Sequence, residues 1–259
     1  MPDLLRPEGG ALDCTVAGGF PVPVLAVHGT LAIATAPVVR RNLLKCLADQ
    51  PAAVIVDLSG VRLAEDLAGL VFAAVSRHAA AWPGSQLLLC GLTPQQHKTL
   101  DRMAVTRFVT ICDTVAAARL CTDRLGHPLR LSELLPALPE SAAAARRIVD
   151  EACADWGVPA VVDTAQIVAT ELVTNAVRHA RTSMTLNLSL RGRYLHLAVR
   201  DGSPHLPQRR FPDDPSEESG RGLMVLDAYA TAWGCVPANG GKVVWATLPA
   251  QPRRVGRRD

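Results

Sequence analysis

The sequence has 259 residues, of which 49% are hydrophobic and 20% are charged, which is enough for one large hydrophobic core or two smaller ones. A formal net charge of +3 is too small to indicate nucleic acid as a partner, and we interpret the basic stretch 251–259 as a solvated tail. No apolar run has the length of a membrane span. The seven cysteines form no CxxC pair and are typical of core residues in a reducing compartment. We therefore expect a soluble cytoplasmic protein that binds neither nucleic acid nor a membrane.

The first half of the chain alternates between strand-like and helix-like segments. Apolar, β-branched runs predict four strands, "VPVLAVHG", "AAVIVDLSG", "SQLLLCG" and "FVTICD". Helical spacing of apolar residues predicts four helices, "APVVRRNLLKCLADQ", "EDLAGLVFAAVSRHAAAW", "PQQHKTLDRMA" and "TVAAARLCTDRL". This alternation is typical of a layered α/β domain, which we place at 1–125.

The second half has a different order of elements. A segment with several prolines begins near residue 126, and we predict a linker over 126–135. The helices "ESAAAARRIVDEACADWG" and "DTAQIVATELVTNAVRHA" come next, then the strands "SMTLNLSLRG" and "YLHLAVRDG", a polar loop, the helix "GLMVLDAYATAWG" and the strand "KVVWATLP". "ANGGK" is a hairpin signal. The pattern predicts an α+β sandwich over 136–250.

One predicted helix carries a regular polar stripe. Glu171, Asn175 and His179 are spaced by four residues, so they line up along the border of the apolar face. A carboxylate or amide left there without a partner costs about 1–3 kcal/mol, which favours a ligand. An ordinary amphipathic helix whose polar stripe meets solvent explains this helix equally well.

Two further stretches have weak signals when each is taken alone. Asp201 ends an apolar strand and enters a turn with Gly202, which is common. In "ESGRGL", Gly220 and Gly222 flank Arg221 at the start of a helix, whose free N–H groups suit an anion. The three stretches together, in this order, are much stronger evidence for a nucleotide site.

These stretches resemble the N, G1 and G2 boxes of the GHKL ATP-binding fold. Over about residues 131–249 the sequence is most similar to the anti-sigma-factor serine/threonine kinases. The resemblance implies that Asn175 binds the Mg²⁺ that bridges the phosphates of ATP. It implies that Glu171 acts as a base or orients water toward the attacking hydroxyl. It also implies that Asp201 accepts a hydrogen bond from the adenine amino group.

The same resemblance assigns the remaining nucleotide contacts. Residues 220–222 would meet the phosphates through main-chain N–H groups, and Gly202 and Leu223 complete the implied cofactor-binding set. Arg146 corresponds to the arginine that contacts the γ-phosphate in the family, with the adjacent Arg147 as the alternative. His179 is interpreted as a residue at the helix end, and a position near the phosphates is the second interpretation. The second glycine of the DxGxG pattern is missing, because Gly202 is followed by "SPH", and we expect the loop 203–219 to cover a nucleotide poorly.

The first half resembles STAS domains, the anti-sigma-factor antagonists that such kinases bind and phosphorylate. The similarity covers about residues 12–125 and is centred on "VIVDLSGVRLAEDLAGLVFAAV". Members that are phosphorylated carry an Asp-Ser-Ser/Thr-Gly-Leu run. Here Leu67 and Ala68 replace both hydroxyl residues, so the resemblance implies a STAS domain without a phosphoryl acceptor at this site.

Two functions follow from these resemblances. The leading hypothesis is an ATP-dependent serine/threonine kinase of bacterial partner switching, which phosphorylates a STAS protein, binds a sigma factor, or does both. The alternative is a non-catalytic ATP-binding adaptor. We also expect the STAS-like domain to dock in cis as an unreactive pseudosubstrate, and a homodimer is compatible with the sequence. A sensor histidine kinase is disfavoured, since no helical hairpin with an acceptor histidine comes before the ATP domain. A gyrase-like ATPase would need transducer sequence that is absent.

Overall fold

The computed structural model describes residues 12–19, 21–123, 128–205 and 221–251, except for the side chains of 221–223. The chain divides into two compact units, Met1–Gly126 and His127–Asp259. Within the described residues, no helix is both long and apolar enough to cross a membrane.

The first unit is built on a five-stranded sheet. Its strands lie in the order β1-β2-β3-β4-β5, with β1 antiparallel to β2 and the other neighbours parallel. The strands are β1 Asp13–Ala17, β2 Val24–Leu31, β3 Ala53–Leu63, β4 Gln86–Cys90 and β5 Thr110–Cys112. The helices are α1 Ala36–Ala48, α2 Leu70–Ala81, α3 Pro94–Arg102 and α4 Val115–Thr122. Parallel neighbours joined through helices confirm the predicted α/β class.

Local sequence explains most of these boundaries. The first half of β3, Ala53 to Val56, is fully buried, as expected for a central parallel strand covered on both faces. Helix α3 begins with a capping box, in which Gln96 N donates to Thr93 Oγ1 and Thr93 N donates to Gln96 Oε1. The edge strand β1 was not predicted from sequence, because it is only five residues long and most of its residues are exposed.

In its described residues, the second unit contains an antiparallel sheet and three α-helices. The strand order is β6-β7-β8-β10-β9. The strands are β6 Leu129–Leu135, β7 Met184–Arg191, β8 Tyr194–Asp201, β9 Ala232–Ala238 and β10 Gly241–Pro249. The helices are α5 Ser141–Asp155, α6 Val162–His179 and α7 Arg221–Tyr229. One hydrophobic core joins all three helices to one face of the sheet, which is the predicted α+β sandwich.

Two predictions for this unit are wrong. The segment predicted as a linker contains β6, which pairs with β7 along its whole length. Leu131 and Leu135 of this strand pack on the core of the unit, so the alternation in "LRLSELL" had more weight than the nearby prolines. The last predicted helix ends at Tyr229, and the chain from Ala232 onward forms β9, which pairs with β10.

Candidate functional site

The polar stripe predicted on α6 is present at the border of its buried face. Glu171 and Asn175 are both half-buried, while their neighbours Leu172, Val173 and Ala176 are buried in the core. The two polar side chains therefore lie one turn apart, where the helix passes from the core to the surface. His179 is exposed in the last turn of α6, where a cation interacts favourably with the helix dipole. This position agrees with its interpretation as a residue at the helix end.

Helix α5 brings an arginine to the same part of α6. Arg146 Nη1 donates to Thr170 Oγ1 at 3.4 Å, and Thr170 is the neighbour of Glu171 in sequence. The Thr170 hydroxyl in turn donates to the main-chain oxygen of Gln166 at 2.7 Å. Arg146 is exposed, so its guanidinium is accessible to an anion beside this turn of the helix. The main-chain oxygen of Arg146 also accepts from Gln166 Nε2 of α6 at 3.4 Å. Arg147 is exposed as well.

The aspartate that ends β8 is buried and already bonded. The carboxylate of Asp201 is 1% exposed, and its Oδ1 accepts a hydrogen bond of 2.8 Å from the main-chain N–H of Ser203. The next residue, Gly202, donates its N–H to Thr182 Oγ1 at 2.9 Å. These two hydrogen bonds hold the main chain of Gly202 and Ser203 in the turn that follows β8. Helix α6, which carries the polar stripe, packs against β8, the strand that precedes this turn.

A lysine that was not predicted as a site residue lies next to Asp201. We call Asp201, Gly202, Ser203 and this lysine the corner of the site. Lys242 lies opposite Asp201 in the register of β10 and β8, and its Nζ is 2.9 Å from Asp201 Oδ1. The same ammonium donates to the main-chain oxygen of Ser203 at 3.4 Å. The lysine side chain is only 6% exposed, so the two charges form a buried ion pair. A lone charged residue in the apolar strand "GKVVWATLP" is the signal in the sequence that could have identified it.

Both charges of this pair affect the pKa of Cys235 on β9. Burial raises the pKa of the Cys235 thiol to about 12, the positive charge of Lys242 opposes that shift, and the negative charge of Asp201 adds to it. A thiol held this far above neutral pH stays protonated. The side chain of Cys235 packs against the hydrophobic core of this unit.

Gly241 allows the two strands to approach at this point. A Cβ atom on Gly241 would overlap the main-chain oxygen of Asp201 and would crowd Gly202 Cα at 2.9 Å. Only a glycine permits this backbone spacing. The hairpin signal "ANGGK" is confirmed, since Ala238 pairs with Gly241 and Gly240 has a φ of +77°. The steric role of the second glycine depends on the partner strand, which local sequence does not show.

The G2 stretch is described only in part. Gly220 lies outside the described residues, and helix α7 begins at Arg221. Helix α7 packs against α6, the helix that carries Glu171 and Asn175. Backbone N–H groups at a helix start are suited to phosphate. The structure therefore places the helix start, and the contacts assigned to Gly220, Arg221, Gly222 and Leu223 remain predictions.

The described residues contain no cluster of three or more His, Cys, Asp or Glu side chains able to hold a metal. Mg²⁺ at a nucleotide site usually takes one or two oxygen ligands from the protein, with phosphate and water supplying the others. The half-buried amide of Asn175 is compatible with such a site.

The STAS-type site in the first unit has no hydroxyl group. Residues Asp66–Gly69 form a 3-10 turn that leads into α2, and Asp66 Oδ2 accepts from Arg102 Nη2 at 2.8 Å. Leu67 is 58% exposed, whereas Ala68 is 2% exposed. The position open to another molecule is thus occupied by leucine.

Comparison with known protein families identifies two domains. The family model "Histidine kinase-like ATPase domain" matches residues 135–248, and the family model "STAS domain" matches residues 13–118. None of the curated proteins matches the chain significantly.

Several solved structures are similar to the first unit or to part of the chain. An anti-sigma factor antagonist from Mycobacterium paratuberculosis is 21% identical over 46% of this chain and 99% of its own, with a TM-score of 0.39. The RsbU and RsbW domains of a Mycobacterium tuberculosis protein are 19% identical over 48% of this chain and 33% of that one, with a TM-score of 0.38. A sulfate transporter family protein from Wolinella succinogenes is 16% identical over 42% of this chain and 90% of its own, with a TM-score of 0.35.

The second unit of the chain is a histidine kinase-like ATPase domain, a class that implies ATP binding. The unit before it is a STAS domain, so the chain is a fusion of these two families. This combination indicates a regulator of the partner-switching kind.

Proposed function

We propose that this protein is a serine/threonine kinase that transfers the γ-phosphoryl group of Mg·ATP to a STAS-domain partner. The observation that carries the proposal is the arrangement around α6. Glu171 and Asn175 lie one turn apart on its half-buried border, and Arg146 reaches α6 at Thr170. A carboxylate, an amide and a guanidinium are the groups that phosphoryl transfer needs for the proton, the metal and the phosphate.

The chemical roles follow from these groups. The hydroxyl oxygen of a serine or threonine in the partner attacks the γ-phosphorus, and the bond from that phosphorus to the β–γ bridging oxygen breaks. Glu171 takes the proton of the hydroxyl, and Arg146 stabilises the negative charge on the transferred group. Asn175 contributes an oxygen ligand to Mg²⁺, which neutralises phosphate charge when it is bound. Asp201 orients the adenine through its amino group.

The partner is proposed on chemical grounds. The exposed residue at the STAS-type turn of this chain is Leu67, which has no hydroxyl. We therefore propose as substrate a second STAS protein that has serine or threonine at this turn. A sigma factor is the proposed output partner, because partner switching requires a protein that is released or captured as phosphorylation changes.

Phosphotransfer with radiolabelled Mg·ATP and a STAS protein that has this serine tests the proposal. Glu171→Gln should reduce transfer by about a hundredfold or more, since the proton acceptor is lost, while Mg·ATP binding remains. Glu151→Gln, an exposed carboxylate on α5, is the matched control and should transfer at the unmodified rate. Equal rates in both variants would exclude Glu171 as the base.

The second candidate function is a non-catalytic ATP-binding adaptor. One observation favours it: the exposed residue at the STAS-type turn of this chain is Leu67, which has no hydroxyl. An adaptor would bind a STAS or sigma partner with no label transferred and with the same partner affinity in Glu171→Gln. Label transfer that depends on Glu171 would rule this function out.

A further inference from the structure

The buried pair of Asp201 and Lys242 has consequences for the base that the site accepts. Both side chains are nearly inaccessible, at 1% and 6% exposure. Separating such a pair leaves an uncompensated charge in a dry environment, which is strongly unfavourable. A nucleobase that contacts Asp201 therefore meets the aspartate and the lysine together.

Only part of the hydrogen-bonding capacity of the pair is used within the described residues. Asp201 Oδ1 accepts from both Lys242 Nζ, at 2.9 Å, and Ser203 N, at 2.8 Å, so the described bonds to the carboxylate all end on one oxygen. An ammonium has three N–H donors. Two of them are directed to Asp201 Oδ1 and to the Ser203 main-chain oxygen, the latter at 3.4 Å. One acceptor, Asp201 Oδ2, and one N–H donor of the ammonium bonded to Oδ1 of the same carboxylate therefore have no partner among the described hydrogen bonds.

An adenine edge matches this combination. Its N6 amino group is a donor and the adjacent ring atom N1 is an acceptor, whereas a carboxylate alone can contact only the donor. We propose that Lys242 is a second base-reading residue, which donates to adenine N1 while Asp201 Oδ2 accepts from the N6 amino group. The inference rests on the proposed nucleotide site and adds to it a residue that determines base specificity.

The pair also explains how other purines would be rejected. A 6-oxo purine in the same pose presents an acceptor to the carboxylate oxygen and an N1–H donor to the ammonium, so both contacts become repulsive. Sites that satisfy buried polar groups through the ligand discriminate strongly when the ligand lacks the matching group. Inosine triphosphate is therefore expected to bind much more weakly than ATP.

Calorimetric titration of the full chain with Mg²⁺ complexes of two ATP analogues tests the inference. In 1-deaza-ATP a C–H group replaces N1, and we expect its affinity to be about tenfold or more below that of ATP, as for the loss of a charge-assisted hydrogen bond. In 7-deaza-ATP a different ring nitrogen is replaced, and its affinity should equal that of ATP. Equal affinities for all three nucleotides would overturn the inference without affecting the proposed nucleotide site.

A lysine variant supplies the complementary comparison. Lys242→Met keeps most of the length of the side chain and removes its N–H donors, so this variant should bind ATP and 1-deaza-ATP with the same affinity. The matched control is Lys98→Met, an exposed lysine on α3, which should keep the full preference for ATP. If Lys242→Met does not fold, Lys242→Arg and the analogue series on the unmodified chain still decide the question.

The remaining outcomes separate this inference from the proposed function. If Lys242→Met binds Mg·ATP and the unmodified chain does not, the lysine blocks the base site and the inference is wrong. If Mg·ATP binds to neither protein, the proposed nucleotide site is wrong, and the inference falls with it. If the unmodified chain binds ATP about tenfold more tightly than 1-deaza-ATP, both the inference and the proposed nucleotide site are supported.

Discussion

Nδ1 of His196 lies 3.0 Å from Oγ1 of Thr247, across the paired strands β8 and β10. The imidazole is buried, and burial, followed by the positive charges of Arg191 and Arg130, lowers the pKa of His196 to about 4. The folded protein therefore holds this histidine neutral at a pH where an exposed histidine is partly protonated.

This pKa predicts an acid-dependent loss of stability. Below about pH 6.5 the unfolded chain binds a proton at His196 that the folded chain does not bind until about pH 4. The stabilising contribution is thus fully present above pH 6.5 and is lost as the pH falls to about 4, by roughly 3 kcal/mol in total. Denaturant unfolding at pH 7 and pH 5 should show a smaller decrease for His196→Asn than for the unmodified chain. The exposed His97→Asn control should behave like the unmodified chain, and equal pH dependence in all three would contradict the prediction.

Substitution of Gly241 should displace Asp201, which we propose binds the adenine base. Gly241→Ala forces a Cβ into the main-chain oxygen of Asp201, and we expect a loss of about 1–3 kcal/mol of stability from the forced strand shift. Weaker Mg·ATP binding should accompany it, because Asp201 moves. The neighbouring Gly240→Asn is the control, since nothing lies within 4 Å of a Cβ there and asparagine tolerates a positive φ. Thermal unfolding and titration of both variants measure the difference, and equal effects would show that the strand approach is not critical.

The two adjacent arginines of α5 should not be equivalent. Arg146 is hydrogen-bonded to α6 beside Glu171, so Arg146→Gln is expected to lower phosphotransfer by at least about tenfold through loss of phosphate stabilisation. Arg147→Gln changes the same charge one residue away and should have little effect. Rates measured at saturating Mg·ATP check the comparison, and the opposite order would move the phosphate-binding role to Arg147.

The STAS-type turn should accept phosphate once a hydroxyl is exposed there. Leu67 is 58% exposed and Ala68 only 2%, so Leu67→Ser creates an accessible hydroxyl and Ala68→Ser creates a buried one. If the ATPase domain is a kinase for such sites, Leu67→Ser incubated with Mg·ATP should gain one phosphate by intact mass spectrometry. The unmodified chain and Ala68→Ser should gain none at this turn. Phosphorylation of Ala68→Ser alone would contradict the argument from exposure.

The sequence predicted those parts of the fold and site whose signals are local. The apolar face of α6 and the polar border with Glu171 and Asn175 are properties of one helix, and the structure has both. Strand β6 was mistaken for a linker because we gave Pro128 and the prolines after it more weight than the alternation of leucines between them.

The site residues that the sequence did not predict depend on partners that are distant in the chain. Lys242 becomes a site residue only because β10 is paired with β8 in a register that places it opposite Asp201. Gly241 is required for the same reason, since its neighbour is the backbone of another strand. A sequence read in order gives each residue its local preference, whereas the pairing of strands 41 residues apart decides which side chains meet.

Strand β6 also determines where the chain can be cut. It lies at the edge of the sheet in the order β6-β7-β8-β10-β9, and it comes before the point where the ATPase family match begins at residue 135. A fragment that starts at residue 136 would leave the N–H and C=O groups of β7 that face β6, between Met184 and Leu190, without partners, while those that face β8 stay paired. Such an uncovered strand is a template for association between copies. An ATPase fragment that keeps Leu129 and the residues after it retains its own border strand, and aggregation of a shorter fragment would reflect the position of the cut.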